Sequence, residues 1–467
     1  MASTSAGAAP TELGTERIGK LLKMYAVPGI IAQTAASLYN MVDSIYIGHI
    51  PGVGADAISG LAVTFPLMNL AAAMGTLVGV GGMTLISVLL GQKNYDSAKK
   101  VLSNVFALNL LIGILFSIVT LSFLDPILYF FGASDRTIFY AREYMSIILL
   151  GNVVTHLYFG FNNLIRSSGH PKTAMGLTLF TVISNAILDP ILIFGFDMGI
   201  RGAAIATVAC QLAALLYTFR FFSDKSRLLH FTRPVLQIDR RIAGQCFAIG
   251  LGPFLMNAAS SVVAMMINQQ LGKYGSDMAI GAYGIVNRVT TFFIMICFGF
   301  NQGLQPIAGY NYGARQYHRV KEVFILTAKW EMLVTTLCFL VSMLIPRVAV
   351  GLFTNDAGMI DMAAKGLRIM NLAVAFVGFN IVAGNLFQCL GMVKTAIVLS
   401  LSRQLICLLP FLYLLPIWFE AKGVWISFPI ADVISLAMAV IFIVRLMRKF
   451  DRLKDGEDAS ILGSAIK

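Results

Sequence analysis

Asp43 and Asp189 stand in stretches of the chain that are otherwise apolar, and oxygen-bearing residues lie at helical spacing from both. Asn185 and Asp189 are four positions apart, so on a helix they share a face, and Tyr39 and Asp43 have the same spacing. Pro190 cannot donate to the carbonyl of Ala186, which leaves one more acceptor just below. Thr207 lies in the next apolar run, and at about 1.5 Å per residue its depth matches that of the two carboxylates. Two carboxyls, an amide, a hydroxyl and a loose carbonyl suit a hard monovalent cation such as Na+, for which oxygen is the preferred ligand. They suit a proton equally, since a buried carboxyl beside a second one gains from being neutralised. A pair of aspartates hydrogen-bonded for structure alone is the plain alternative.

Holding such groups in one place requires long apolar helices, and the composition supplies them. Of 467 residues, 57% are apolar and 12% charged, roughly half the charge of an ordinary globular protein. A bilayer-spanning helix takes about 20 mostly apolar residues. Twelve such spans are predicted, near 24–48, 57–90, 101–123, 140–165, 173–197, 202–222, 242–272, 278–312, 318–346, 362–391, 395–418 and 423–446. The stretches 57–92 and 242–272 contain no ionisable Asp, Glu, Lys, Arg or His. With the N-terminus inside, 24 of the 35 lysines and arginines fall in cytoplasmic segments. That bias predicts both termini in the cytoplasm.

The net charge of +12 is thus topological, and no basic run is interleaved with stacking aromatics, so no nucleic-acid partner is expected. The six cysteines lie singly in apolar runs without a CxxC spacing. The five histidines are scattered and form no metal pattern, and His156 reads as a satisfied core polar residue. No nucleotide-binding loop or catalytic triad is present, so the chain is not expected to be an enzyme. A polar stretch up to Lys23 precedes the first apolar run, which is too long for a signal-peptide core.

An internal repeat organises the spans. Asn163-Leu-Ile-Arg-Ser-Ser-Gly169-His-Pro-Lys172-Thr-Ala174 aligns with Asn385-Leu-Phe-Gln-Cys-Leu-Gly391-Met-Val-Lys394-Thr-Ala396 at a constant offset of 222, with six of twelve positions identical. Elsewhere Pro28 pairs with Pro253, Phe131 with Phe353, Pro190 with Pro410 and Gly202 with Gly423. Six spans per half is an even number, so both halves enter the membrane in the same orientation, a parallel pseudo-two-fold repeat typical of transporters. The expected fold is all-α, twelve transmembrane helices in two six-helix bundles. The expected division is a cytoplasmic segment 1–23, a first bundle 24–222, a linker 223–241, a second bundle 242–446 and a cytoplasmic tail 447–467. The equivalents of Asp43, Asp189 and Thr207 are Asn268, Leu409 and Phe428, so the second half lacks these acids. Ion coupling is therefore expected in the first bundle.

Prolines inside spans, Pro28, Pro66, Pro190, Pro253, Pro306, Pro410 and Pro429, each remove a backbone hydrogen bond and favour a kink. Arg403 and Asp432 lie on antiparallel neighbouring spans at similar depth and are expected to form a structural ion pair. Arg288 has no obvious partner, and Lys329 and Glu331, two positions apart, do not face each other.

At these residues the sequence resembles the multidrug and toxic compound extrusion (MATE) transporters. The resemblance is carried by Asn40-Met-Val-Asp43-Ser-Ile-Tyr-Ile-Gly48, Gly91-Gln-Lys-Asn, Leu188-Asp189-Pro190, Gly199-Ile-Arg-Gly202-Ala-Ala and Gly309-Tyr-Asn-Tyr-Gly313-Ala, and it covers about residues 17–450. It implies two lobes and cation-coupled export of amphipathic, often cationic compounds. It also implies a cation site at Asp43, Asn185, Asp189 and Thr207, with Tyr39 and Tyr144 nearby, and bending of the first span at Pro28. The sequence departs from branches that carry an acid in the seventh span, where Asn268, Gln269 and Gln270 stand instead.

The expectation is thus an antiporter of the bacterial inner membrane, H+ or Na+ coupled, without a cofactor. It is expected to act as a monomer among membrane lipids on small amphipathic molecules. A major-facilitator transporter would show an Asp-Arg-Gly-Arg-type loop where Gly91-Gln-Lys-Asn-Tyr-Asp stands. A lipid or lipid-linked oligosaccharide flippase is the rival reading, and it would be expected to carry more central basic residues than Arg288 and Arg403. A passive channel would ring its pore with carboxylates.

Overall fold

The computed structural model describes residues 12–48, 50, 51, 54–232, 234, 236, 238–275 and 277–457. Residues 1–11 of the N-terminal segment, 233, 235 and 237 of the linker, and 458–467 of the tail lie outside the described residues. Each predicted span is a helix. They are α1 (Ile18–Gly48), α2 (Gly54–Gly91), α3 (Tyr95–Ser122), α4 (Ile138–Leu150 continued by Asn152–Ser167), α5 (Pro171–Gly195) and α6 (Ile200–Ser223). In the second half they are α7 (Arg240–Tyr274), α8 (Asp277–Gly313), α9 (Tyr317–Leu344), α10 (Ala357–Met370 continued by Val374–Cys389), α11 (Val393–Phe419) and α12 (Ala421–Arg452). No strand occurs among the described residues. In hydrocarbon the backbone must satisfy itself, and a helix does so within one segment.

Local sequence sets where the helices begin. The Asn94 side chain accepts from the Ser97 N–H at 3.2 Å ahead of α3, and Asp356 accepts from the Met359 N–H at 2.7 Å ahead of α10. Pro171 opens α5 at a position whose N–H would have no helical partner anyway. Apolar side chains such as Leu115, Ile118, Leu216 and Leu337 are exposed on the outer faces, as a lipid solvent requires.

Two spans are broken by sharp bends between helix segments. α4 turns by 56° at Gly151, and α10 by 52° between Met370 and Val374. Pro190 and Pro410 instead flank π-helical turns, Ile191–Gly195 and Ser402–Leu408. Pro410 lacks the N–H that would bond back into Ser402–Leu408, and that turn takes the wider spacing, whereas the π turn Ile191–Gly195 follows Pro190.

The chain forms two compact units. One holds Thr34–Gly250, and the other holds Glu16–Gln33 together with the chain from Leu251 onward. The first part of α1 therefore packs with helices of the second half, and the first turns of α7 with helices of the first. Backbone approaches replace side chains at both places. In one unit, a Cβ on Gly299 of α8 would lie 2.5 Å from Ile30 Cα, and one on Gly303 2.8 Å from the Ala26 nitrogen.

The repeat is visible in the turns as well as in the helices. Lys93 and Arg315, 222 residues apart, both have φ of 58°. Gly169 and Gly391 are likewise both left-handed, with φ of 91° and 68°. Gly199 enters α6 at φ 54°, ψ −137°, and Glu420 enters α12 at φ 50°, ψ −139°. The turn is the same, but only the first half has glycine in a conformation that side chains resist, at a cost of order 1–3 kcal/mol. The side chain of Glu420 is exposed. Glu420→Gly is expected to raise stability by about 1 kcal/mol, read as a higher Tm in detergent, whereas Gly199→Glu should lower it. A lower Tm for Glu420→Gly would show that its side chain is held in place for another reason.

Candidate functional site

Tyr39 and Asp43 of α1, Tyr144 of α4, Asn185 and Asp189 of α5, and Thr207 of α6 all belong to one unit. The fold positions them in distinct ways. Four-residue spacing puts Tyr39 with Asp43, and Asn185 with Asp189, on single helical faces. The π turn after Pro190 closes onto the start of α6, where a Cβ on Gly202 would meet the Leu192 carbonyl carbon at 2.8 Å. That close approach sets Thr207 opposite α5.

Asp43 is 6% exposed, Asn185 2%, Asp189 0% and Tyr144 1%. The Tyr39 hydroxyl and Thr207 Oγ1 are 3.0 Å apart, and Thr207 Oγ1 donates to the Ala203 carbonyl at 3.1 Å. One orientation of the Asn185 amide satisfies every neighbour. Its Nδ2 then donates to Asp189 Oδ2 at 2.9 Å and to the Tyr39 hydroxyl at 3.1 Å, while its oxygen accepts from the Thr207 N–H at 3.0 Å. The resulting chain of donors has one direction, from Asn185 through Tyr39 and Thr207 to a backbone carbonyl. Asp43 and Asp189 lie within side-chain hydrogen-bonding reach of each other. Asp43 Oδ1 is buried without a partner among the described residues.

Chemically, this is a pocket with surplus acceptors. The donors of Asn185, Tyr39 and Thr207 are committed to other groups, and a proton or a cation would satisfy Asp43 Oδ1. Ions taken out of water without compensation cost several kcal/mol each, which makes neutralisation of the pair energetically consequential. No cluster of three or more His, Cys, Asp or Glu side chains with metal-site geometry occurs among the described residues.

In the other unit, Arg403 Nε donates to Asp432 Oδ1 at 2.6 Å. The Asp432 side chain is 3% exposed and that of Arg403 24%. Arg403 stands in the π turn of α11 and reaches across to α12. Removing one partner of a buried pair costs about 3–5 kcal/mol because the other charge is left uncompensated. Arg403→Ala, which strands the more buried Asp432, should lower Tm more than Asp432→Ala, and the double variant should cost less than the sum. Additive losses in the three unfolding curves would mean that the two charges do not stabilise each other.

Other ionisable groups sort by exposure. Arg288 and Lys329 are exposed, whereas Glu331, two residues beyond Lys329, is fully buried. Sequence spacing separated the two residues but gave no signal of which one faces the interior. His156 is also fully buried, yet neither ring nitrogen has a hydrogen-bond partner among the described residues. Its ring is turned toward the Ala71 backbone of α2, in keeping with a core histidine. Gly75 of α2 lies against its ring, leaving little room for a partner.

Comparison with known proteins agrees with this architecture. Multidrug export protein MepA of Staphylococcus aureus (strain N315) is 29% identical over 434 residues, covering 93% of this chain and 94% of that protein. MepA of Staphylococcus saprophyticus is 28% identical over 429 residues, covering 92% and 93%. Among solved structures, the MATE multidrug transporter DinF-BH, solved as a complex, superposes with a TM-score of 0.87 at 35% identity, over 97% of this chain and all of that one. An outward-facing MATE family transporter of the MOP superfamily reaches a TM-score of 0.89 at 20% identity, over 96% of this chain, and shows the same fold. The MatE family profile matches residues 28–191 and 253–414, one segment in each half. The chain belongs to the MatE family of membrane transporters.

Proposed function

We propose that the chain is a secondary active antiporter that exports amphipathic, often cationic compounds in exchange for H+ or Na+ by alternating access. The observation that carries this reading is the buried Asp43–Asp189 pair, with Asp43 Oδ1 left without a donor beside a fully committed Asn185–Tyr39–Thr207 chain. A proton shared by the two carboxyls, or a sodium ion held by Asp43, Asn185, Asp189 and Thr207, removes the cost of burying charge. Tyr39 and Tyr144 close the site. Because either ion shifts the conformational equilibrium only by its differential affinity, neutralisation must favour one arrangement of these helices over another. Bending of α1 at Pro28 is the motion proposed. Pro28 lies between Ala26 and Ile30, the residues that touch Gly303 and Gly299 of α8.

The export of drugs is supported by the names of the relatives, which describe multidrug export and multidrug transport. The bacterial inner membrane is the proposed location, with both termini cytoplasmic on the bias of basic residues. The working unit is proposed to be a monomer surrounded by lipid, without a cofactor. Against a flippase stands the state of the two basic residues that the reading would use: Arg403 is neutralised by Asp432, which leaves Arg288 alone to meet a pyrophosphate. Efflux of a fluorescent cation from proteoliposomes, driven by a pH gradient or a sodium gradient imposed separately, tests the proposal. Efflux driven by one of them is the expected result. Equal rates with both gradients collapsed would rule antiport out.

A further inference from the structure

Glu331 stands at the middle of α9, fully buried, and neither carboxyl oxygen has a hydrogen-bond partner among the described residues. Its surroundings belong to one unit. A Cβ on Gly378 of α10 would lie 2.7 Å from the Glu331 carbonyl, and Thr335 donates to that same carbonyl at 3.0 Å. From α8, the Asn301 side chain faces the carboxyl. The Asn301 amide donates to the Cys297 carbonyl at 3.1 Å, and its buried oxygen has no partner. Among the described residues no basic side chain is paired with Glu331. The titratable groups turned toward it are the thiols of Cys297 on α8 and, beyond that, Cys338 on α9, while α10 brings only the backbone at Ala375 and Gly378.

The same three helices show what a finished polar cluster looks like. Asn371 of α10 donates to Thr290 of α8 at 3.0 Å and to Ser342 of α9 at 2.9 Å. Glu331 and Asn301 lack any such closure. They present three buried oxygen acceptors, the two of the carboxyl and Asn301 Oδ1, against a single spare donor, the second N–H of the Asn301 amide. Buried polar atoms are normally paired, and an ionised carboxylate without a counter-charge is disfavoured far more strongly. Three acceptor atoms are too few to replace the shell of a hard metal cation. One proton, by contrast, turns a carboxyl oxygen into a donor. One turn along α8 toward Gly313, Gln305 donates to Asn385 of α10 at 3.0 Å, and this amide pair is only half-buried.

We infer that Glu331 is a proton-binding site in the second half of the chain, reached by way of Asn301 from the half-buried Gln305–Asn385 pair. At the repeat-equivalent positions stand Asn109, itself buried with an unpartnered amide, and Gly79. Each half thus carries a buried acid without a basic partner among the described residues, on different helices: Asp43 and Asp189 on α1 and α5 in the first, Glu331 on α9 in the second, where the other buried acid, Asp432, is paired with Arg403. The role of Glu331 in transport rests on the antiport reading above, but its exchange of a proton does not.

Infrared difference spectroscopy of the full-length protein in lipid nanodiscs tests this. The spectra are taken for wild type and Glu331→Gln, each also in an Asp43→Asn, Asp189→Asn background. A protonated-carboxyl stretch is expected that disappears with Glu331→Gln in both backgrounds, and that weakens at high pH or on addition of tetraphenylphosphonium. Glu331→Asp, which keeps the acid, should retain the band at a shifted frequency and serves if Glu331→Gln does not fold. A band indifferent to pH and to tetraphenylphosphonium would mark a permanently neutral structural acid and overturn the proposal, as would the lack of any band assignable to Glu331. A responsive band in a protein whose efflux ignores the pH gradient would support the proton site and sink the antiport reading alone.

Discussion

Asp43→Asn and Asp189→Asn are each expected to reduce gradient-driven efflux of a fluorescent cation to the level of protein-free liposomes, while insertion and folding persist. Asparagine keeps the size of the side chain and one acceptor oxygen, so the donation from Asn185 to position 189 survives. What it removes is the group whose charge changes on binding a proton or a cation. A coupling ion works only through a difference in affinity between conformations, and moving an equilibrium from mostly one state to mostly the other takes about 5.5 kcal/mol. A buried carboxylate pair can supply a difference of that order, since each uncompensated ion costs several kcal/mol, whereas an amide pair supplies almost none. Binding of substrate should persist, which separates loss of coupling from loss of structure. Efflux at the wild-type rate with equal expression would falsify the coupling role of that aspartate.

Much of this site was legible because it obeys local rules. Tyr39 with Asp43, and Asn185 with Asp189, are brought to one face by helical spacing alone, and the depth of Thr207 follows from rise per residue. The twelve spans were legible for a blunter reason, since hydrocarbon demands long apolar segments whatever the fold. Features that depend on which helix faces which were not legible. Nothing near Gly151 announces a 56° turn, because a glycine in an apolar run is common and its bend is decided by packing against Val208 of α6. Residues two apart on a helix point in nearly opposite directions, so Lys329 and Glu331 had to part. Only the packing of α9 against α8 and α10 buries Glu331. Tyr144 carries no spacing signal toward Asp43 and came from the family resemblance. The grouping of the start of α1 with the second half was likewise invisible, since it is a choice of neighbour and not of secondary structure.

That grouping leads to the second large effect. Within one unit, α2 and the first turns of α7 touch backbone to backbone. A Cβ on Gly250 would lie 1.8 Å from the Leu77 carbonyl oxygen, and one on Gly81 2.0 Å from the Cys246 carbonyl oxygen. Both obstacles are backbone atoms, which cannot rotate away as a side-chain tip could, so α2 and α7 would have to part along their contact. Membrane helices associate through close packing of small residues because no hydrophobic force separates protein from lipid tails. Overpacking a tight contact typically costs about 1–3 kcal/mol and sometimes more, and a clash with main chain belongs at the top of that range. Gly81→Ala and Gly250→Ala are therefore each expected to cost about 3 kcal/mol or more, seen as a large fall in Tm and loss of a monodisperse peak on size exclusion. Gly244 on α7 and Gly176 on α5 have nothing within 4 Å of an added Cβ. Their alanine variants should be neutral or gain about 0.5–1 kcal/mol from reduced backbone freedom. The repeat makes a further demand: Gly299 and Gly303 of α8 meet Ile30 and Ala26 of α1 in the corresponding contact, so Gly299→Ala should be as damaging as Gly81→Ala. If all four glycines tolerated alanine as Gly244 does, the close α2–α7 and α1–α8 crossings would not exist in the membrane.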